Sequence, residues 1–204
     1  MIRAILIALL ICGPATADPV QNVIAAAERS FDRLPDVQTV DQIAGLCGAD
    51  AGVDPHAAYC TSQNMIFRAE AGQTAEQDLY YVAHLFGHAV QVRHGIADVA
   101  LRTISANRDR ETELRRDVER MVDCLAGVIL SVAGQEEYDL TQEFAVEPFA
   151  RPHWGRDPLS NGPWVEVGLQ ERATWLAKGL SGGHPGVCDT ENFPADLAVA
   201  AFRR

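Results

Sequence analysis

His84 and His88 lie four residues apart in a stretch with helical hydrophobic spacing. Their imidazoles therefore project from one helix face a turn apart and can grip a single metal ion. Glu119 and Asp123 repeat the same spacing further along the chain. A carboxylate from a neighbouring helix would complete a set of two histidines and one glutamate, the three protein ligands of a catalytic zinc whose fourth tetrahedral position is left to water. Each pair alone says little. Histidines at this spacing also occur on solvated helices, and Glu119 and Asp123, flanked by Arg115, Arg116 and Arg120, read equally well as surface ion pairing of small energetic consequence. His56, His94, His153 and His184 fall in loops or at helix ends without matching partners, and the sequence assigns them no role.

The elements that must position these residues are mostly helical. Thr74-Ala75-Glu76-Gln77 has the form of a capping box, and Leu79, Val82, Ala83, Phe86 and Val90 keep helical spacing up to Gly95. A charged stretch from Arg108 to Arg120 leads into Met121–Ala133. There Leu114, Val118, Met121, Leu125, Val128, Ile129 and Val132 mark one apolar face of a second long helix ending near Gly134. Asp18-Pro19 opens a third amphipathic helix, with Val20, Val23, Ile24, Ala27, Phe31 and Leu34 on its apolar side. Residues 47–60, rich in Gly, Ala, Asp and Pro, read as an irregular loop, and Asn64–Ala69 as a short strand. Pro148, Pro152, Pro158 and Pro163 exclude continuous helix over 148–164; helix resumes over Trp164–Leu180 and breaks at Ser181-Gly182-Gly183. The predicted class is mainly α within α+β.

Two blocks carry a resemblance. His84-Leu85-Phe86-Gly87-His88-Ala89-Val90-Gln91 and Glu119 with Asp123-Cys124-Leu125-Ala126-Gly127 are similar to the signature of the neutral zinc metallopeptidases of bacteria. That signature runs His-Glu-x-Gly-His and then Glu-x-x-x-Asp-Cys-x-Ala-Gly. Tyr59-Cys60, Arg172 with Trp175-Leu176 and Gly179, and Gly183, Pro185 and Cys188-Asp189-Thr190 resemble further blocks in the right order, over most of residues 45–190. The resemblance implies a zincin-like metallopeptidase scaffold, with two core helices carrying the metal ligands and a small edge-strand sheet. It also implies His84, His88 and Glu119 as zinc (Zn2+) ligands, Asp123 as the group orienting a ligand, and Asn64–Ala69 as an edge strand beside the cleft.

One position departs from that pattern. Where the family has a glutamate that takes a proton from the water at the metal and later hands it to the leaving amine, this chain has Leu85. Loss of a general base costs about 10²- to 10⁴-fold in rate. The missing group is no metal ligand, so metal without efficient turnover is the expectation. Glu70, Glu76 and Glu113 are the carboxylates that a loop could bring in as substitutes.

Composition sets the setting. Arg3, the apolar run Ala4–Ile11 and Ala15-Thr16-Ala17 read as a signal peptide over residues 1–17, leaving 18–204 as a single metallopeptidase-like domain. Ile11 before Cys12 argues against a lipid anchor. No later run approaches the roughly 20 apolar residues of a spanning helix. Arg3 is the only charged residue in that segment, so cleavage takes the formal net charge from −11 to −12, which argues against a nucleic-acid partner. Cys47, Cys60, Cys124 and Cys188 remain, an even number that suggests two disulfides in a periplasmic or secreted protein. Three pairings are open; Cys47 with Cys60, closing the Gly-rich loop, and Cys124 with Cys188, tying down the tail, are those favoured. Three functions follow from these observations: a zinc-binding pseudopeptidase that captures a peptide or protein segment, a zinc hydrolase with atypical catalysis, or a metal-free structural or adaptor domain.

Overall fold

The fold is a mixed α+β arrangement in a computed structural model that describes residues 18–156 and 164–203. The expected signal peptide, Pro158 and Pro163 lie outside the described residues. Helix α1 (Pro19–Ser30) leads to strand β1 (Asp36–Val40), a loop, and strands β2 (Ala57–Cys60) and β3 (Met65–Ala69). Helices α2 (Ala75–Arg93), α3 (Ile96–Ala106) and α4 (Glu111–Val132) follow. The short helix α5 (Leu140–Glu143), the two-residue strand β4 (Trp154–Gly155), α6 (Leu169–Gly182) and α7 (Asp196–Ala201) complete the described chain.

The helix starts follow the residues that announce them. Asp18 accepts the Val20 amide at 3.0 Å with Pro19 at the first helical position. In α2 the Thr74 hydroxyl accepts the Gln77 amide at 3.1 Å, and the Gln77 side chain accepts the Thr74 amide at 3.0 Å. Helix α6 begins at Leu169, later than the expected Trp164, after an extended Val165–Gly168 stretch. The Glu147 carboxylate accepts the Val167 and Gly168 amides, each at 3.0 Å, and so pins the extended approach to α6 from a distant part of the chain.

The sheet differs from the sequence expectation in two ways. Its order is β1-β3-β2-β4, with β1 parallel to β3, β2 antiparallel to β3 and β4 parallel to β2. The segment Asn64–Ala69, expected as an edge strand, therefore contributes an interior strand with neighbours on both sides. The edge strand on the other side of β2 is β4. Ala57–Cys60, read as loop, is a strand buried along its whole length. Its four residues are too few to show alternation after ten rich in Gly, Asp and Pro, and burial on both faces removes the alternation anyway.

The helices pack closely through small residues. A Cβ on Gly87 of α2 would sit 2.8 Å from the Val122 carbonyl oxygen of α4, and one on Gly179 of α6 would collide with the Cys124 carbonyl of α4. Glycine at both places lets the backbones approach, which brings the polar faces of α2, α4 and α6 together. The main apolar core, from Val20 to Ala198, fills the space around them, and α1 is part of it. A second cluster of Ile43, Ala49, Val53, Ala58, Cys60 and Phe67 lies on the sheet. Both favoured disulfides are present, Cys47–Cys60 and Cys124–Cys188, and such bonds belong to an oxidising, extracytoplasmic compartment. No helix among the described residues is long and apolar enough to cross a membrane.

Candidate metal centre

Helix α2 presents His84 and His88 toward α4, where Glu119 and Asp123 face them one turn apart, and all four are buried. A fifth residue joins from elsewhere. His153, one residue before β4, is only 2% exposed, and its Nε2 lies 3.2 Å from His84 Nε2 and 3.1 Å from His88 Nε2. Glu119 completes the group, with Oε2 3.6 Å from His84 Nε2 and 4.0 Å from His153 Nε2, and Oε1 3.4 Å from His88 Nε2. One donor atom from each of His84, His88, Glu119 and His153 lies within 4.8 Å of all the others. The absence of a role for His153 in the sequence reading is thus corrected: it stands at the centre of the cluster. No local periodicity could have signalled it, because its segment is bounded by prolines and meets α2 only through the tertiary fold.

Compared with known proteins, the chain matches no family model, no curated protein and no solved structure.

The protons around the cluster are fixed by its partners. His84 Nδ1 donates to Asp123 Oδ1 at 2.8 Å, and His153 Nδ1 donates to the Arg151 carbonyl at 2.8 Å. With Nδ1 as its donor, neutral His153 turns the Nε2 lone pair toward His84 and His88. Burial first, and then the neighbouring His84, hold the imidazoles of His88 and His153 well below the ordinary histidine pKa, so they are neutral. Ring nitrogens this close need a cation between them, a proton or a metal ion, to offset lone-pair repulsion. A tetrahedral ion bound at 2.0–2.1 Å separates its donor atoms by about 3.3 Å; the closest spacings here are 3.1 and 3.2 Å, and the whole donor set stays within 4.8 Å. The donor set thus fits a metal ion, and its three imidazoles suit a first-row transition ion better than calcium or magnesium, which take oxygen ligands.

A buried charge network braces this group. Arg172 of α6 is fully buried; its Nη1 donates to Asp123 Oδ2 at 3.1 Å and to Glu119 Oε2 at 3.2 Å, while its Nε donates to Glu147 Oε1 at 2.9 Å. Tyr80 donates its hydroxyl proton to Asp123 Oδ1 at 2.7 Å. Burial raises the Glu119 pKa, and the Arg172 guanidinium works against that rise. For Arg172 burial acts to lower the pKa, but Asp123, Tyr80 and Glu119 together carry it well above its ordinary value. Asp123 stands behind His84, 2.8 Å from its Nδ1, where a carboxylate can orient the ring. The sequence offered hints for two of the bracing residues: Tyr80 precedes His84 by one helical turn, and Arg172 belongs to a quoted block. Nothing local marked Glu147.

Leu85 is fully buried within the main core. None of the three carboxylates suggested as substitutes joins the cluster. Glu70 and Glu76 are exposed, and Glu113 pairs with Arg110 and Asn192. The arrangement can hold an ion and orient its ligands; a proton acceptor at the position after His84 is missing.

Proposed function

We propose that this protein is an exported, zinc-binding relative of the neutral zinc metallopeptidases that has given up peptide hydrolysis, a pseudopeptidase on a zincin-like scaffold. The observation that carries this reading is the approach of His153 Nε2 to within 3.2 Å of both metal-facing histidines. Four protein ligands make the closed set of a structural zinc site, whereas a hydrolytic site keeps one position open. Leu85 at the general-base position agrees with this, since two separate requirements of hydrolysis are then missing together. The two disulfides and the N-terminal sequence support export through a cleaved signal peptide. A hydrolase with atypical catalysis fits less well, because the place such chemistry needs is taken by an imidazole.

Elemental analysis of the purified chain is expected to find about one equivalent of zinc, and peptide substrates are expected to remain intact. Leu85→Glu alone restores no hydrolysis, because His153 still fills the fourth position; Leu85→Glu combined with His153→Ala gains measurable zinc-dependent activity. Brisk zinc-dependent hydrolysis by the unaltered chain would overturn the reading, as would a purified chain free of metal.

A further inference from the structure

Resting on the metal reading above, the geometry concerns what keeps His153 in place. The segment from Ala150 to Arg156 meets the sheet edge through backbone bonds and, at its end, through the Ser62 hydroxyl, which donates to the Arg156 carbonyl at 3.1 Å. The Asp54 amide donates to the Pro152 carbonyl at 2.9 Å, the Tyr59 amide to the His153 carbonyl at 2.7 Å and the Thr61 amide to the Gly155 carbonyl at 2.9 Å. Strand β4 is only two residues long. Just before the segment, Phe149 has φ +57°, a left-handed backbone that a bulky residue adopts only at a cost. Its ring is held in the core, with its centroid 4.4 Å from that of His84.

Two consecutive side chains of the segment grip the same residue. His153 Nε2 lies 3.1 Å from His88 Nε2, and the Trp154 ring stacks on the His88 ring at 4.6 Å with a 20° interplanar angle. His88 is oriented less firmly: its buried Nδ1 makes no close hydrogen bond among the described residues, and its nearest polar neighbour on that side is the Gln91 side chain. His84 is oriented by Asp123 and His153 by the Arg151 carbonyl. The ring on which both side chains of the segment rest is held at its metal-facing nitrogen by His153 and Glu119 and on its face by Trp154.

We propose that residues 150–156 form a metal-latched strap. Ligation through His88 and His153 fastens the segment to the edge of β2. Loss of that ligation frees the fourth ligand position and the outer edge of β2 in one motion, so occupancy of the metal site controls whether that edge is covered.

Hydrogen exchange on the full chain tests the latch, using the amides of Asp54, Tyr59 and Thr61 as reporters and those of Met121–Leu130 in α4 as controls. Removal of zinc with a chelator is expected to speed exchange at the reporters by at least about tenfold, a factor equivalent to about 1.4 kcal/mol, with the controls unmoved. His153→Ala, which retains His84, His88 and Glu119, is expected to loosen the same three amides while zinc remains bound. If that variant does not fold, the chelator arm on the unaltered chain decides. Reporters that stay protected after zinc leaves overturn the strap while leaving the metal site intact. Reporters and controls that loosen together also overturn it, because the metal would then hold the whole fold. A chain that never contained metal removes the functional reading itself, and the strap falls with it.

Discussion

The helices α2, α4 and α6 and the small cluster on the sheet solve the problem of burial in opposite ways. Between the helices, a large apolar core surrounds His84, His88, Glu119, Asp123 and Arg172, every one of them buried. Charges in such a place are tolerated only when each is matched, and here Arg172 touches three carboxylates while Asp123 accepts from His84, Tyr80 and Arg172. On the sheet, the six apolar residues from Ile43 to Phe67 are too few to do this, and the adjacent loop is stapled by Cys47–Cys60 instead. The one buried acid there, Asp54, has its pKa raised by burial and is satisfied locally by the amides of His56 and Ala57. A large core can hold a charged site in place, whereas a small one must be closed covalently.

The contrast breaks most visibly at Arg172. Replacing it with methionine removes the one cation shared by Glu119, Asp123 and Glu147, and in the metal-free chain should cost about 3–5 kcal/mol in urea denaturation. A cost below about 1 kcal/mol would mean the helices do not depend on that matching. Next come the bridges. By loop length, loss of Cys124–Cys188, with a separation of 64, should destabilise by about 4 kcal/mol, and loss of Cys47–Cys60, with a separation of 13, by about 3 kcal/mol. Thermal unfolding of the two double-alanine variants compares them, and the reverse order would show that the sheet cluster contributes less by itself than argued here.

Smaller effects sharpen the helix side of the comparison. Asp123→Asn keeps the shape but removes the charge behind His84, and competition with a chelating dye should find zinc bound about 10- to 100-fold more weakly. Tyr80→Phe deletes a single hydrogen bond to the same carboxylate and should cost about 1 kcal/mol in the same denaturation assay. If Tyr80→Phe proved as harmful as Arg172→Met, the network would be held by hydrogen bonding more than by charge.

Much of the helical frame could be read in advance. The capping box at Thr74, the Asp18-Pro19 start and the stop at Gly183 depend on neighbours within a few residues, where sequence spacing and spatial spacing coincide. The sheet was less legible. Strand β2 shows no alternation because both faces are buried, and β3 became interior because β1 and β2 took its two sides, choices made by partners remote in sequence.

By itself the sequence determined which helix faces carry His84, His88, Glu119 and Asp123, and that Leu85 occupies the place after the first histidine, because helical periodicity turns spacing directly into direction. Only the tertiary structure decided that four side chains instead of three converge where an ion could be held, and that Arg172 and Glu147 neutralise and brace them. His153 lies 65 residues from His88 and Arg172 lies 53 from Glu119, so those contacts follow from how helices and sheet pack together and leave no periodic trace in the chain.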